Sequence, residues 1–135
     1  MSQVHEHQIQ LRWSDPDSYG HVNHARALSL LEDARLAMAA ESPGVVPGRQ
    51  PDIILARLEV DYLRQLHYRV GEQLCARSWV TRLGTKSFTM RQELLQDDAL
   101  AIRLDAVLVV FDVATDTSRP LTDEERAYWG AYLAE

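Results

Sequence analysis

The sequence predicts an α+β domain in which a curved antiparallel sheet of about five strands wraps around one long helix. One long run has apolar residues at helical spacing, and the chain after it changes to two-residue alternation in four successive segments. The connections between the last three segments are short enough for antiparallel hairpins. A single long helix followed by several strands is typical of the α+β class.

The chain begins with a strand and a tight bend. From Gln8 to Trp13 it alternates strictly, which predicts a half-buried strand with three large apolar residues on one side: Ile9, Leu11 and Trp13. The stretch Asp15-Pro16-Asp17-Ser18-Tyr19-Gly20 consists of turn formers. We therefore expect the chain to reverse here.

The long helix is predicted from the N-cap Asn23 to about Glu41, because this run is rich in Ala and Leu and contains no Gly or Pro. Its apolar residues form one stripe at helical spacing, made of Ala27, Leu30, Leu31, Ala34, Ala37 and Met38. Ser42-Pro43-Gly44 ends the helix, and Pro47 to Pro51 is predicted to be loop.

Four strands and a short helix complete the predicted fold. The first strand has Ile54, Ala56, Leu58, Val60 and Tyr62 on one face, and it is expected to open a meander with three more strands: Gln73–Leu83, Lys86–Gln96 and Ala99–Val113. Thr122 and Glu125 form a capping box, which predicts a C-terminal helix from Asp123 to about Leu133. Long edge strands invite pairing with another chain, so we expect a homodimer or homotetramer.

Composition limits the possible functions. The 135 residues fit one domain, 1–135, and the net charge of -6 argues against a nucleic-acid binder, which needs a basic face. Cys75 is the only cysteine, so no intrachain disulfide is expected. The first ten residues do not have the pattern of a signal peptide, and no run is long enough to span a membrane. We therefore expect a cytoplasmic protein.

The segment Arg12-Trp13-Ser14-Asp15-Pro16-Asp17-Ser18-Tyr19-Gly20-His21-Val22-Asn23-His24-Ala25-Arg26 resembles the active-site loop of the 4-hydroxybenzoyl-CoA thioesterase-like family. The similarity continues through Glu32–Arg35, Arg57–Arg64 and Gly84–Phe88. The resemblance implies a hot-dog fold and hydrolysis of an acyl thioester of coenzyme A or acyl carrier protein. The loop also looks like that of acyl-ACP thioesterases, which have a catalytic acid and histidine at the positions of Asp17 and His21.

The resemblance assigns the chemistry first to Asp17, acting as a nucleophile or as a general base for water. The alternative is that Asp17 only caps the turn. Asp15 is expected to have a structural role. His21 is expected to orient Asp17 or a water molecule, or to bind near the phosphopantetheine; the alternative is a surface loop histidine. Backbone N–H groups near Asn23 and His24 could stabilise an oxyanion, and the side chain of Asn23 could serve only as the N-cap.

Glu32 is the second candidate for the catalytic acid, or it is simply paired with Arg35. The other expected substrate-binding residues are Gly20, Val22, His24, Arg57, Tyr62, Arg64, Lys86, Ser87 and Phe88. Arg57, Arg64 and Lys86 suit coenzyme A phosphates, but each alone could be a solvated strand residue. Tyr62, Ser87 and Phe88 could line a pantetheine channel, with core packing the better expectation for Phe88.

No metal and no cofactor are expected beyond the coenzyme A of the substrate, because the five histidines lack the spacing of zinc ligands. Two alternatives stay open. One is an acyl-thioester hydratase or dehydratase with His21 and Glu32 as its acid-base pair, which the lack of a Gly-Pro-rich histidine loop disfavours. The other is a non-catalytic acyl-CoA-binding protein in which Asp17 serves the turn alone.

Overall fold

The structure is a computed structural model and describes residues 3–46, 48 and 51–134. It confirms the predicted α+β hot-dog class, in which an antiparallel sheet packs on one long helix. In chain order, the elements are β1 (His5–Gln10), α1 (His24–Ala40), β2 (Ile53–Tyr62), β3 (Gln73–Leu83), β4 (Ser87–Gln96), β5 (Ala99–Asp112), β6 (Thr117–Ser118) and α2 (Asp123–Gly130). The predicted loop from Pro47 to Pro51 lies largely outside the described residues.

The order of strands in the sheet is β1-β3-β4-β5-β2, and the short strand β6 pairs with β5. The prediction that β2 opens a four-strand meander is wrong, because β2 pairs with β5 at the far edge of the sheet. Only β3, β4 and β5 follow one another as hairpins. As the last strand in this order, β2 has one edge that pairs with no other strand among the described residues.

A β-bulge in β2 changes which side chains face the core. The register of β2 against β5 shifts between Leu55 and Arg57. A bulge adds one residue to one strand, so the predicted single face from Ile54 to Tyr62 is broken at Ala56. Leu58 and Val60 are half-buried, whereas Ile54 is exposed.

Helix α1 lies on the inner face of the sheet through the predicted apolar stripe. The buried residues of the helix are Ala27, Leu30, Leu31, Ala34, Arg35, Met38 and Ala39. Three of them are alanines, whose small side chains let the helix lie close to the strands. Each buried Leu contributes roughly 1.5–3 kcal/mol relative to an exposed one, so this face anchors the helix to the sheet. The apolar pattern did not predict Arg35 and Ala39, and the predicted Ala37 is only half-buried.

Strand β1 lies earlier in the chain than predicted, at His5–Gln10 rather than Gln8–Trp13. Its limits are set by pairing with β3, from His5 opposite Ser78 to Gln10 opposite Gln73. The sequence alternation continues past Gln10, but the pairing with β3 ends there. As a result Leu11 is buried while Trp13 is 81% exposed.

The capping box of α2 is confirmed, because Thr122 and Glu125 exchange side-chain and backbone hydrogen bonds. The helix ends at Gly130, three residues before the predicted Leu133. Trp129 of this helix stacks on Phe88 with a ring-centroid distance of 4.4 Å. Among the described residues, no helix is both long and apolar enough to cross a membrane.

Candidate active site

The loop between β1 and α1 is organised around Asp17. Its backbone N–H donates to the carbonyl of His21 at 2.8 Å, and its carbonyl accepts from the N–H of Gly20 at 3.1 Å. Oδ1 of the Asp17 side chain accepts from the backbone N–H groups of Tyr19 at 2.9 Å and His21 at 3.3 Å. Gly20 has a φ of 79°, which other residues adopt with strain. The carboxylate is therefore fixed through one oxygen in a turn that glycine makes possible.

The side chain of Asp17 is exposed, and no hydrogen bond to Oδ2 occurs within the part of the chain that the structure describes. Oδ2 is thus available to a substrate or to water. The turn-capping alternative and the chemical role are compatible, because each uses a different oxygen of the same carboxylate.

Helix α1 begins beside this carboxylate. The Oδ1 atom of Asn23 accepts from the N–H of Ala25 at 2.8 Å, which confirms Asn23 as the N-cap. Among the described residues, the N–H groups of His24 and Arg26 have no acceptor. Free N–H groups at a helix N-terminus carry a partial positive charge and suit an oxyanion. The expected backbone donors are therefore present at the start of the helix.

A cleft of about 390 Å³ lies next to these groups. It is lined by Asp17, Val22, Asn23 and His24 on one side and by Tyr62, Leu63, Arg64, Gln65 and Leu66 on the other. The rings of His24 and Tyr62 meet edge to face with centroids 6.1 Å apart. Six expected site residues therefore lie together at this cleft: Asp17, Val22, Asn23, His24, Tyr62 and Arg64.

A second cleft, of about 540 Å³, lies on the other side of Asp17 and includes Asp15, Asn23 and Arg26. A third, of about 510 Å³, is lined by the segment after α1 and the start of α2, and contains Arg119 and Glu125. Volume alone does not identify the site. The first two clefts include Asp17, whereas the third is lined by the acidic first turn of α2.

Asp15 differs from Asp17 in burial and in partners. Its side chain is fully buried, and its Oδ2 accepts from the backbone N–H of Arg12 at 2.7 Å. Its Oδ1 lies 3.3 Å from Nη2 of Arg12 and 3.4 Å from Nε of Arg26. The expected structural role of Asp15 agrees with this geometry, but its contact with Arg26 on α1 had no signal in the sequence.

The ring of His21 packs against His67 rather than on Asp17. The two ring centroids are 4.9 Å apart in an edge-to-face arrangement. Gln96 fixes the backbone of His67, because its side chain accepts from the N–H of His67 at 2.9 Å and donates to the carbonyl of His67 at 2.8 Å. His21 contacts Asp17 through its backbone. Its role in orienting Asp17 stays a prediction.

Glu32 lies in the middle of α1, away from the cleft that contains Asp17. Its Oε2 is 3.8 Å from Nη2 of Arg35, the pairing that was the alternative to a catalytic role. Arg35 itself is buried and donates to Oε1 of Gln92 at 2.9 Å. Gln92 in turn donates to the carbonyl of Leu31 and to Oγ of Ser78. Burial lowers the pKa of Arg35, and the charge of Glu32 partly offsets this effect.

Five expected substrate-binding residues are not among those that line this cleft: Gly20, Arg57, Lys86, Ser87 and Phe88. Arg57 is exposed and its Nη2 lies 3.4 Å from Oε1 of Glu59. Phe88 is 1% exposed, so it belongs to the core as the better expectation had it, and the idea that it lines a channel is wrong. Lys86 and Ser87 lie where β4 begins, and Ser87 is opposite Val109.

The distance of Lys86 and Ser87 from the cleft follows from the strand register. Tyr62 at the cleft is opposite Ile102, whereas Ser87 is opposite Val109. The two positions on β5 are seven residues apart, which corresponds to about 23 Å along a strand. One chain therefore does not bring Lys86 and Ser87 to Asp17. Within the described ranges, no three His, Cys, Asp or Glu side chains group together as a metal site.

The sheet wrapped on one helix, with an exposed carboxylate at the start of that helix, defines a hot-dog protein with a candidate hydrolytic site. The family model of the Thioesterase-like superfamily matches residues 11–129, and the chain belongs to this superfamily. No protein with a curated description matches the chain significantly.

Solved structures with the same fold include a thioesterase and proteins predicted to be thioesterases. A predicted thioesterase from Bacillus stearothermophilus is 24% identical with a TM-score of 0.87, and the alignment covers 98% of both chains. A thioesterase from Thermus thermophilus, in complex with coenzyme A and Zn, is 28% identical with a TM-score of 0.77, over 91% of this chain and 94% of that one. The PA2801 protein from Pseudomonas aeruginosa is 28% identical with a TM-score of 0.80, over 93% and 98% of the two chains.

Proposed function

We propose that this protein is an enzyme that hydrolyses an acyl thioester of coenzyme A or acyl carrier protein to a free acid and a thiol. The observation that carries the proposal is the Asp17 carboxylate, held through Oδ1 by two backbone N–H groups and exposed at a cleft beside the start of α1. Membership of the Thioesterase-like superfamily supports the reaction class. A cytoplasmic location belongs to the same proposal.

Two reaction routes for thioester hydrolysis use the carboxylate of Asp17. In the first, Oδ2 attacks the thioester carbonyl carbon, the C–S bond breaks, the thiolate leaves, and water then hydrolyses the mixed anhydride. In the second, Asp17 takes a proton from water while the water oxygen attacks the carbonyl carbon. The C–S bond then breaks, and the sulfur leaves as a thiol with the proton that Asp17 took. Both routes place negative charge on the carbonyl oxygen. The N–H groups of His24 and Arg26 are the proposed donors to that oxygen.

The proposed substrate carries a phosphopantetheine arm. The thioesterase from Thermus thermophilus is in complex with coenzyme A, which supports this class of ligand for a chain that is 28% identical to it. Within the cleft, Arg64 is the cation available for a phosphate, and Tyr62 and Leu63 offer apolar surface for the arm. The acyl group is left open between aliphatic and aromatic.

We also propose a homodimer, or a homotetramer built from it, formed through the free edge of β2. This edge exposes Ile54, Leu55, Tyr62 and Leu63, each at least 41% accessible. Antiparallel pairing of two β2 strands would place the start of one strand opposite the end of the other. Lys86 and Ser87 lie at the end of the sheet where β2 begins. The partner's Lys86 would then approach the cleft that contains Asp17, which its own chain leaves about 23 Å away.

The reaction class is tested with a panel of short, medium, long and aromatic acyl-CoA thioesters, with thiol release as the readout. We expect turnover on at least one member of the panel, and pantetheine thioesters separate recognition of the arm from recognition of the nucleotide. An acyl-ACP substrate is the second arm. Absence of thiol release from every CoA and ACP thioester, together with tight binding of a thioether analogue, would instead favour the non-catalytic binding protein.

The dimer is tested by light scattering at micromolar concentration. We expect twice or four times the monomer mass of 15.4 kDa. Replacement of Leu55 by Lys in the exposed edge should shift the mass toward the monomer and lower thiol release together. A wild-type monomer with full activity would contradict the shared site.

A further inference from the structure

Asp15 carries a buried negative charge for which thioester hydrolysis has no direct use. Its side chain has no exposed surface, yet it is only two residues from the exposed Asp17. A buried carboxylate is retained only when its partners compensate for the lost hydration. Those partners are the backbone N–H and guanidinium of Arg12, and the guanidinium of Arg26.

These contacts join three parts of the chain. Arg12 lies just after β1, Asp15 lies in the loop, and Arg26 lies in the first turn of α1. The loop is therefore tied to the end of the sheet strand and to the helix through a single carboxylate. Asp17 follows two residues later on the same loop.

The charged groups around Asp17 indicate what would change near it if the carboxylate of Asp15 were lost. Arg26 lines the same cleft as Asp15 and Asp17, and its side chain is 42% exposed. On the other side of Asp17, the cleft includes His24 and Arg64. The side chain of Arg12 is 60% exposed, and His21 contacts Asp17 through its backbone N–H. If Asp15 lost its charge, Asp17 would be the carboxylate left for Arg26 among the residues that line this cleft.

We propose that Asp15 is a positioning residue that holds the Asp17 loop on α1 and keeps the guanidinium of Arg26 away from Asp17. Asp15 touches no reacting atom in this proposal. The kinetic part of the proposal rests on the proposed thioesterase function, whereas the positional part does not require turnover.

The kinetic test compares Asp15→Asn with wild type on one acyl-CoA that is turned over. Because the nucleophile or base is displaced while the cleft is kept, kcat should fall about 10-fold and KM should change by less than about 2-fold. Adding Arg26→Gln removes the cation that competes for Asp17, so the double variant should be faster than Asp15→Asn alone. A merely structural role of the Asp15–Arg26 pair gives no such rescue.

The positional test needs no substrate. The backbone N–H groups of Tyr19 and His21 donate to Oδ1 of Asp17, so their amide signals in ¹H–¹⁵N spectra report on its place. Both signals should shift in Asp15→Asn and stay unchanged in Asp98→Asn. Asp98 is the matched control because it lies in the exposed β4–β5 turn at a φ of 58°, which Asn tolerates.

The outcomes separate the two hypotheses. Absence of turnover in wild type would reject the proposed function, while shifted amide signals would still support the positional role of Asp15. Unchanged signals, wild-type kcat in Asp15→Asn, or a double variant slower than Asp15→Asn would overturn the proposal for Asp15. If Asp15→Asn does not fold, Arg26→Gln alone removes one of the partners of Asp15, and its Tyr19 and His21 amides should then shift in the same test.

Discussion

One charged group lies just before helix α1 and another lies in its middle, and the two differ in exposure and in the contacts that hold them. At the start, Asp17 is exposed and is held by backbone N–H groups of its own loop. In the middle, Arg35 is buried and is held by Gln92 from strand β4. A charge fixed by its own loop stays accessible to a substrate, whereas a charge fixed by a distant strand joins helix to sheet. We therefore expect the first region to matter for the proposed chemistry and the second for stability.

The largest expected effect is a loss of stability in the second region, around Arg35. Gln92→Leu removes the acceptor of Arg35 and the donor to the carbonyl of Leu31 and to Ser78. The buried guanidinium then keeps only the 3.8 Å contact with Glu32 among its described partners. The free energy of unfolding should fall by about 3 kcal/mol, as measured by denaturant titration. The control is Gln73→Leu, an exposed glutamine of β3, which should change stability by about 0.5 kcal/mol or less. Equal effects from the two changes would mean that Arg35 is held by something else.

A smaller effect separates stability from activity by their pH dependence. Hydrogen bonds from Arg91 hold the pKa of Asp105 below its ordinary value of 3.8. A lowered folded-state pKa contributes stability above the unfolded value and loses it as pH falls through the folded value. The stability of wild type should therefore decrease below about pH 3.8, and Asp105→Asn should decrease less over the same window.

Acid titrations of unfolding measure this difference. Asp105 lies on β5 and is not part of the cleft that contains Asp17. The pH dependence of thiol release near neutrality should accordingly be the same in Asp105→Asn and wild type. A shifted activity profile would mean that the outer face of the sheet and the loop are coupled.

The sequence predicted correctly those features of the fold that depend on residues close in sequence, and it failed for pairing between distant segments. The N-cap Asn23 and the capping box of Thr122 and Glu125 were predicted correctly, because both depend on residues at most three positions apart. The limits of β3 agree with the prediction for the same reason, since its alternation and its hairpin turn are local. The pairing of β2 with β5 was predicted wrongly because it joins segments about forty residues apart in sequence.

The same distinction applies to the site. Asp17 was proposed from a contiguous motif, and six of the expected residues meet at one cleft. The buried contacts of Arg35 with Gln92 and of Asp15 with Arg26 were missed. Arg35 looked like a surface partner of Glu32, because Glu32 is three positions away and Gln92 is not. Burial of a charge by a distant strand leaves no periodic signal in either segment.

We propose that the carboxylate of Asp17, just before α1, supplies the chemistry, and not that of Glu32 in the middle of the helix. Asp17→Asn keeps an Oδ1 acceptor for Tyr19 and His21, so the turn should survive while the attacking charge is lost. Single-turnover thiol release should then fall by a factor of at least about 100. Glu32→Gln should cost about 10-fold or less, because it weakens only the contact with Arg35.

The most direct measurement is single-turnover thiol release from one good acyl-CoA by both variants, each first shown to be folded. Binding of a non-hydrolysable thioether analogue is measured alongside, and it should be retained in Asp17→Asn. We expect a large loss of single-turnover rate in Asp17→Asn and a small loss in Glu32→Gln. Both variants should keep binding of the analogue. Full activity in Asp17→Asn together with a large loss in Glu32→Gln would contradict this expectation and assign the chemistry to the middle of the helix.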